Sequence, residues 1–400
     1  MTMDKKGNNK RGFFGLPGVR SFLAALICIL LGLLVGYIVL LIINPENAGK
    51  GMEVMLKNFL ARNNKVFQLK HLGNTVVKTA PLILCSLSIL FAYKTGMFNI
   101  GAAGQYVAGA GACLYFAYKF SSPWYVCILV AIVAGALWGA ISGALKAYLN
   151  VNEVISGIML NWISLYIVNM LMKAFCKGAE KDTIAFVRGQ SPSLIPNMGL
   201  DGLFSKNTSV TIAIPLTLII AVAIWILLSK TKFGYEIKAT GFNKNAAKYA
   251  GMREKSNIIL TMVICGALAG IAASFFFLSG FSTWNTNQTS VPAMGFNGIA
   301  AAFLGGLHPI GVIFSSYFIQ HISDGGTSLT GMYPAQIADL VSAIIIYLCG
   351  FVLFMKLQMS KVSAAGERRR QAKLDALAAA EKENAAADDA SEEMKGGEAK

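Results

Sequence analysis

The stretch FNIGAAGQ, residues 98–105, interrupts an apolar run that extends from Ala80 to Ala117. Asparagine, glutamine and small residues lie where an uninterrupted lipid-facing helix would carry apolar side chains. In a bilayer, polar groups are tolerated only against protein or a water-filled cavity. The stretch therefore predicts a break in a membrane helix, buried among other helices or beside a transport path.

The composition of the chain indicates that this break belongs to a polytopic membrane protein. Of its 400 residues, 55% are hydrophobic and 14% are charged, and apolar runs of 18 or more residues recur. Each run is long enough to cross roughly 30 Å of hydrocarbon. We therefore predict an all-α bundle of transmembrane helices, comprising residues 21–356, in the cell membrane.

The apolar runs predict about ten membrane segments. Two of them, Val291–Leu307 and Pro309–Ile322, are short for full spans and suggest broken helices. The other predicted segments are Ser21–Ile43, Val76–Lys94, a third from FNIGAAGQ to about Tyr118, Trp124–Leu149, Glu153–Lys173, Thr208–Leu228, Ile258–Leu278 and Ile337–Met355. Residues 44–75 and 175–207 are expected outside the cell.

Charge placement orients this bundle. Residues 1–20 carry five basic residues and one acid, and the loop 229–257 carries seven basic residues and two acids. Such basic segments are typical of the cytoplasmic side. Residues 357–400 form a charged tail rich in Ala, Glu and Lys, so both termini are expected in the cytoplasm. Because the net charge of +15 is spread over short loops, it favours contact with membrane lipid and not with nucleic acid.

The sequence contains no motif that indicates catalysis or metal binding. It has no CxxC pair, no P-loop, and three histidines that are not within motif spacing of Cys or Glu. Carboxylates are scarce in the apolar segments: Glu153 follows a candidate helix cap at Asn152, and Asp324 lies in SDGGTS, which predicts a loop. We therefore expect no enzyme activity, no metal and no cofactor in this chain, and we find no ion relay.

Small residues recur at helical spacing in two predicted spans. Gly135, Gly139 and Gly143 lie on one face of the fourth, and Gly266 and Gly270 lie on one face of the seventh. Small residues at this spacing let membrane helices approach closely. They predict tight packing and say nothing about function.

A short helix is predicted inside the basic loop. Asn243 is a good helix cap and Gly251 a good helix stop. The roughly two turns between them carry small or flat side chains, which suits a docking surface for a partner. A solvated loop anchored to lipid is the alternative interpretation.

Four blocks of sequence together resemble a known family. They are TAPLILCSLSILFAYKTGMFNIGAAGQ (79–105), NEVISGIMLN (152–161), KATGFNKNAAKYAGM (238–252) and GFNGIAAAFLGGLHPIGV (295–312). In this order they resemble the ABC-importer permeases for nucleosides, ribose-type sugars and branched-chain amino acids, most closely the nucleoside permeases that work with basic membrane lipoproteins. Family members often have an acidic residue where this chain has Ala103, and Thr where it has Gly157.

The resemblance implies partner proteins that complete a transporter. It implies a second, homologous permease, a separate cytoplasmic ABC ATPase that uses ATP and Mg²⁺, and a lipid-anchored binding protein outside the cell. It also implies that the basic loop couples to the ATPase through Gly241, Asn243, Ala246, Ala247, Tyr249 and Gly251. The expected function is nucleoside import. A permease for ribose-like sugars and an ion-coupled carrier that acts alone remain as alternatives.

The residues at the two breaks are candidates for the substrate pathway. FNIGAAGQ and GFNGIAAAF each place Phe, Asn and Gly at an interruption, as an inverted repeat would. Amides would bind a polar solute, and aromatic rings would offer faces to a base or sugar. The predicted pathway residues are Phe98, Asn99, Gln105, Asn161, Phe296 and Asn297. The alternative is that these side chains cap broken helices and bond to neighbouring helices.

Overall fold

The computed structural model describes residues 17–175, 183–184, 192–352, 354–361, 365–366, 371–373 and 376. Residues 1–16 of the predicted N-terminal segment, the middle of the predicted outside loop and most of the predicted tail lie outside the described residues. Residues 27–351 form one compact unit, which contains the candidate site. Residues 1–26 and 352–400 are assigned to a second unit, whose described parts are helical.

The described residues are mostly α-helical, as the composition predicts. The helices are α1 Pro17–Ile43, α2 Pro45–Lys57, α3 Lys65–Lys94, α4 Ala102–Phe120, α5 Trp124–Leu149, α6 Glu153–Phe175, α7 Ala213–Lys230, α8 Lys232–Phe242, α9 Lys244–Tyr249, α10 Glu254–Phe277, α11 Met294–Leu304, α12 Pro309–Thr327 and α13 Ala335–Cys349. Two short strands, β1 Thr183–Ile184 and β2 Trp284–Asn285, pair antiparallel.

Seven helices of the described part are long and apolar enough to cross a membrane. They are Phe22–Ile43, Lys65–Lys94, Trp124–Leu149, Glu153–Phe175, Ala213–Lys230, Glu254–Phe277 and Gln336–Lys361. A multi-pass helical membrane protein is thereby confirmed. The count of about ten segments stays a prediction, because α4, α11 and α12, which occupy three further predicted segments, are not among the seven.

Helix α3 lies at the centre of the bundle. It begins at Lys65, where the Asn64 side chain accepts a hydrogen bond from the Val66 N–H, and not at the predicted Val76. At 1.5 Å per residue its 30 residues extend about 45 Å. Of its most apolar window, 89% is buried. The early start was missed because lysines interrupt the apolar pattern in the first turns. In the structure this part of the helix packs against the protein at Gly73, which Asn207, Phe204 and Val210 surround.

The predicted glycine faces of α5 and α10 pack against each other. A Cβ added at Gly135 would lie 2.2 Å from the carbonyl oxygen of Gly266, and one at Gly139 would lie 2.1 Å from that of Met262. On the other helix, a Cβ at Gly270 would lie 2.2 Å from the carbonyl oxygen of Ala131. The two backbones therefore touch over several turns, which only small residues permit.

Helix α12 continues through the segment that the sequence predicts as a loop. SDGGTS was therefore misassigned, and Asp324 is a buried residue of α12. The two glycines that suggested a turn have a packing role. A Cβ at Gly325 would lie 2.2 Å from the Met55 carbonyl oxygen, and one at Gly326 would meet the Ser342 hydroxyl. By contrast, the predicted helix cap at Asn152 is confirmed, because its Oδ1 accepts a hydrogen bond from the Val154 N–H.

Candidate functional site

The break predicted from FNIGAAGQ lies between α3 and α4, at residues 95–101. Gly96 has a φ of +74°, which turns the chain after α3. The side-chain amides of Asn99 and Gln105 face each other across the break. Asn99 Nδ2 donates to Gln105 Oε1 at 2.9 Å and to Ser88 Oγ at 3.2 Å, and Gln105 Nε2 donates to Asn99 Oδ1 at 3.3 Å. Both side chains are buried, and their hydrogen bonds join the break to the helices on either side of it.

Asn161 on α6 binds the backbone of the same break. Its Oδ1 accepts from the Gly104 N–H at 2.7 Å, and its Nδ2 donates to the Ile100 carbonyl at 3.1 Å. Ser164, one turn further along α6, donates to the Gly104 carbonyl at 2.8 Å. The first N–H groups of a helix lack partners within the helix, so α6 satisfies one that α4 leaves open. A Cβ at Gly157 would lie 2.9 Å from the Gly101 N, so a Thr there would have to displace the break.

The second Phe-Asn-Gly segment meets the first one directly. A Cβ at Gly295 would lie 2.6 Å from the Ala103 Cα, so the start of α11 rests on the start of α4. The Phe98 ring stacks on Phe303 with centroids 6.2 Å apart. Ala103 is fully buried in this contact. The sequence thus brings its two interruptions together, although they lie almost 200 positions apart in the chain.

A cavity of about 610 Å³ lies between α11 and α13, and one residue of α12 also lines it. We call it the α11–α13 cavity. Two predicted pathway residues, Phe296 and Asn297, line it, and its polar lining also includes Ser323, Asp339 and Ser342. Its aromatic lining is formed by Phe296, Phe303, Tyr347 and Phe351. Sequence reasoning did not connect Asp339 with Ser342, although a spacing of three places both on one face of the last predicted span, which was a usable signal.

The six predicted pathway residues therefore divide into two groups. Phe296 and Asn297 face the cavity. Phe98 lies behind Phe303, while Asn99, Gln105 and Asn161 bind other protein groups. Whether any of them contacts a substrate stays a prediction.

The basic loop is largely helical. Its predicted short helix is α9, for which Asn243 Oδ1 accepts from the Ala246 N–H at 3.0 Å, and Gly251 follows with a φ of +79°. The sequence missed α8, which fills most of the loop before α9. The exposed surface of α8 and α9 includes Phe242 and Tyr249, at 94% and 92% exposure. Phe242 was not among the predicted coupling residues, although an aromatic residue in a basic loop is a usable signal.

Two predicted coupling residues are not on this surface. Ala247 is 3% exposed, and a Cβ at Gly241 would lie 2.4 Å from the Lys94 carbonyl oxygen. Gly241 therefore packs on the end of α3, backbone to backbone with Gly96. Asn243, Ala246, Tyr249 and Gly251 are exposed.

Three contacts connect the inner side of α8 to the break. Gly241 rests on Gly96, the first residue of the break with a positive φ. Asn257 of α10 donates to Thr240 Oγ1 at 3.2 Å, and the hydroxyls of Thr95 and Thr261 are 2.9 Å apart. A displacement of α8 would therefore reach the end of α3 and the start of α10 at once.

An ion pair inside the bundle was missed by sequence reasoning. Lys78 Nζ of α3 lies 2.7 Å from Asp324 Oδ1 of α12, with the side chains 26% and 11% exposed. Gln320 Nε2 donates to the same oxygen at 3.0 Å, and the ammonium lies 5.2 Å from the centre of the Phe281 ring. The partners are 246 positions apart. Ionisable groups within membrane helices are costly and usually paired. Each of these two charges therefore has its partner on the other helix, and the pair links α3 to α12.

Comparison with known proteins gives matches over most of the chain. Residues 71–350 match the family described as the permease component of the branched-chain amino acid transport system. The guanosine ABC transporter permease protein NupP of Bacillus subtilis is 31% identical over 86% of this chain and 97% of its own length. The nucleoside ABC transporter permease protein NupB of Lactococcus lactis is 32% identical over 86% and 95%. A second B. subtilis guanosine permease protein, NupQ, is 28% identical over 61% and 77%.

Proposed function

Since this chain belongs to the family of permease components of the branched-chain amino acid transport system, we propose that it is the membrane-spanning subunit of an ABC importer of nucleosides. The observation that carries the substrate class is the similarity to NupP and NupB along nearly their whole length, because both are named for guanosine or nucleoside transport. ATP hydrolysis then belongs to a separate subunit, which uses ATP and Mg²⁺.

The substrate pathway runs along the α11–α13 cavity. Asn297, Ser323 and Ser342 offer hydrogen-bonding groups there, and Asp339 offers a carboxylate. Such groups are costly against hydrocarbon, so this side of the bundle faces water and a second permease subunit. Aromatic rings of the kind at Phe296 and Tyr347 bind bases by stacking, while Asn297 supplies an amide to the base or the ribose. Asn99, Gln105 and Asn161 hold the break and the start of α4 behind this lining.

The partners follow from the same proposal. Two guanosine permease proteins of one B. subtilis strain resemble this chain, which supports a transporter with two homologous permeases. The surface of α8 and α9 binds the cytoplasmic ATPase through the exposed Phe242 and Tyr249. The opposite side receives a lipid-anchored binding protein, which selects the substrate.

Uptake of labelled guanosine in cells with and without the gene tests the proposal. We expect deletion to abolish uptake, and we expect unlabelled nucleosides, but not ribose, to compete with it. An uncoupler applied while the ATP concentration is held constant should leave uptake unchanged. Loss of uptake under the uncoupler would favour an ion-coupled carrier, and uptake competed only by ribose would favour a sugar permease.

A further inference from the structure

A second cavity lies on another side of the bundle, in a groove between α4, α5 and α6. Its volume is about 360 Å³. Small residues form its floor, among them Ala108, Ala112 and Ala134. It follows α6 from Ser164 to Phe175, and these 12 residues extend about 16 Å at 1.5 Å per step. A space of this volume and length is a channel about 5 Å wide, enough for one hydrocarbon chain with carbon contacts near 4 Å.

The groove offers no polar group along its depth to a polar ligand. Its two deep polar side chains already bind the protein: Trp138 Nε1 donates to the Leu160 carbonyl at 3.3 Å, and Ser164 Oγ donates to the Gly104 carbonyl at 2.8 Å. The remaining deep lining is aliphatic or aromatic. An occupant of the groove is therefore apolar over its whole inserted length.

The outer end of the groove lies at the level of a membrane interface. The rings of Tyr115, Phe116, Phe120 and Phe175 contact one another there, with centroids 5.3–6.0 Å apart. Tyrosine and tryptophan mark the boundary between hydrocarbon and headgroups, and Tyr115 is followed at this end by Trp124, the first residue of α5. From that boundary the groove descends about 16 Å, close to the roughly 15 Å thickness of one hydrocarbon leaflet.

A basic residue lies at the same end. Lys119 is exposed in the last turn of α4, three and four positions after Phe116 and Tyr115. Residues at this spacing share a helix face, so Lys119 lies above the aromatic end of the groove. Its ammonium can therefore pair with the headgroup phosphate of a lipid whose acyl chain fills the groove.

We propose that the groove between α4, α5 and α6 binds one acyl chain of an anionic phospholipid, whose phosphate pairs with Lys119. The leaflet is the one opposite α8, because Gly96, in the segment that leads into α4, packs on Gly241 of α8 and α4 ends at the groove's aromatic end. A helix of a partner subunit fits less well. A helix is about 10–12 Å wide, so it would cover a channel about 5 Å wide and could not enter it.

Native mass spectrometry of the full chain with its co-purified subunits, after delipidation and titration with phosphatidylglycerol, tests this proposal. We expect the wild type to retain one phosphatidylglycerol per copy of the chain. Ala112→Leu combined with Ala134→Leu fills the groove and should remove that lipid. Val133→Leu enlarges a side chain at a lipid-facing position of α5 that is not in the lining, so it should retain the lipid.

A charge variant tests the headgroup contact without disturbing the core. Lys119→Gln should weaken phosphatidylglycerol binding about fivefold, whereas Lys230→Gln, in the last turn of α7, should not. Unchanged retention in the filled variant would overturn the proposal. So would loss of the second permease from the filled variant with unchanged lipid, since the groove would then be a subunit contact. Neither readout depends on nucleoside transport, so failure of the proposed function would be seen separately.

Discussion

Asn161 of α6 makes two hydrogen bonds to the backbone around the break. One side-chain amide satisfies the Gly104 N–H and the Ile100 carbonyl, which lie on different sides of the start of α4. A buried donor or acceptor left without a partner costs about 1–3 kcal/mol. The residue therefore stabilises the interruption itself, whatever else it does during transport.

We expect Asn161→Leu to lower the free energy of unfolding by about 1–3 kcal/mol, because it removes both hydrogen bonds from buried backbone groups. Denaturant titration of the purified protein in detergent measures the change. Asn63→Leu, at an exposed position, is the matched control and should shift stability by less than about 0.5 kcal/mol. Equal effects of the two substitutions would contradict the role assigned to Asn161.

A second residue-scale prediction concerns the pair Lys78 and Asp324. Lys78→Met leaves a mostly buried carboxylate without its cation. We expect a loss of about 1–3 kcal/mol in unfolding free energy, less than the roughly 3–5 kcal/mol of a fully buried pair, because Lys78 is 26% exposed. The double variant Lys78→Met with Asp324→Leu should recover most of that loss.

The exposed pair of Lys57 and Glu53 provides the comparison. Both side chains are more than half exposed, so solvent screens the pair and Lys57→Met should destabilise the protein much less than Lys78→Met does. If the double variant at Lys78 and Asp324 were less stable than either single one, the pair would contribute through hydrogen bonds to other groups and not through its own charges.

At the scale of elements, the contact of α5 with α10 depends on the absence of side chains. We expect Gly139→Ala to destabilise the protein by about 1–3 kcal/mol, because the new methyl would overlap the Met262 carbonyl and push the helices apart. Gly49→Ala in α2 is the control, since no atom lies within 4 Å of its added Cβ. That control should be neutral or stabilising. Thermal unfolding in detergent compares them, and equal melting temperatures would contradict the tight contact.

Helices α8 and α9 give the element-scale prediction about coupling. Phe242→Ser and Tyr249→Asp should reduce uptake and ATPase binding by about tenfold or more, because exposed aromatic residues commonly dominate an interface. The amount of folded protein should stay unchanged. Leu203→Asp, on an exposed residue outside this surface, should leave uptake intact. Wild-type uptake in both coupling variants would remove α8 and α9 from the interface.

Gly241→Asp should behave differently from those surface variants. Its side chain would collide with the backbone of residues 94–96, so we expect less folded protein in the membrane and not a selective loss of coupling. Quantifying membrane-inserted protein beside uptake separates the two effects. A normally folded but inactive Gly241→Asp protein would place Gly241 on the docking surface, as the sequence alone suggests.

At the scale of the whole molecule, the features that could be predicted from the sequence are those set by residues close together in the chain. Apolar runs identified the main helices, and the caps at Asn152 and Asn243 marked two helix starts correctly. Features that depend on distant partners were not visible. Asp324 was assigned to a loop because two glycines follow it, but those glycines pack on α2 and α13. Gly241 was expected on the surface, but it packs on Gly96. The α11–α13 cavity likewise needs three helices to define it.

The glycine contact between α5 and α10 also limits how this permease can change shape. Where these glycines bring the two backbones into contact, no flexible side chain lies between them to take up sliding or tilting. Helices α5 and α10 therefore move as one rigid unit, which starts beside α8 and α9 and extends to the far side of the bundle. Alternating access then has to use interfaces that contain movable side chains, and the aromatic lining contributed by α11 and α13 is one such interface.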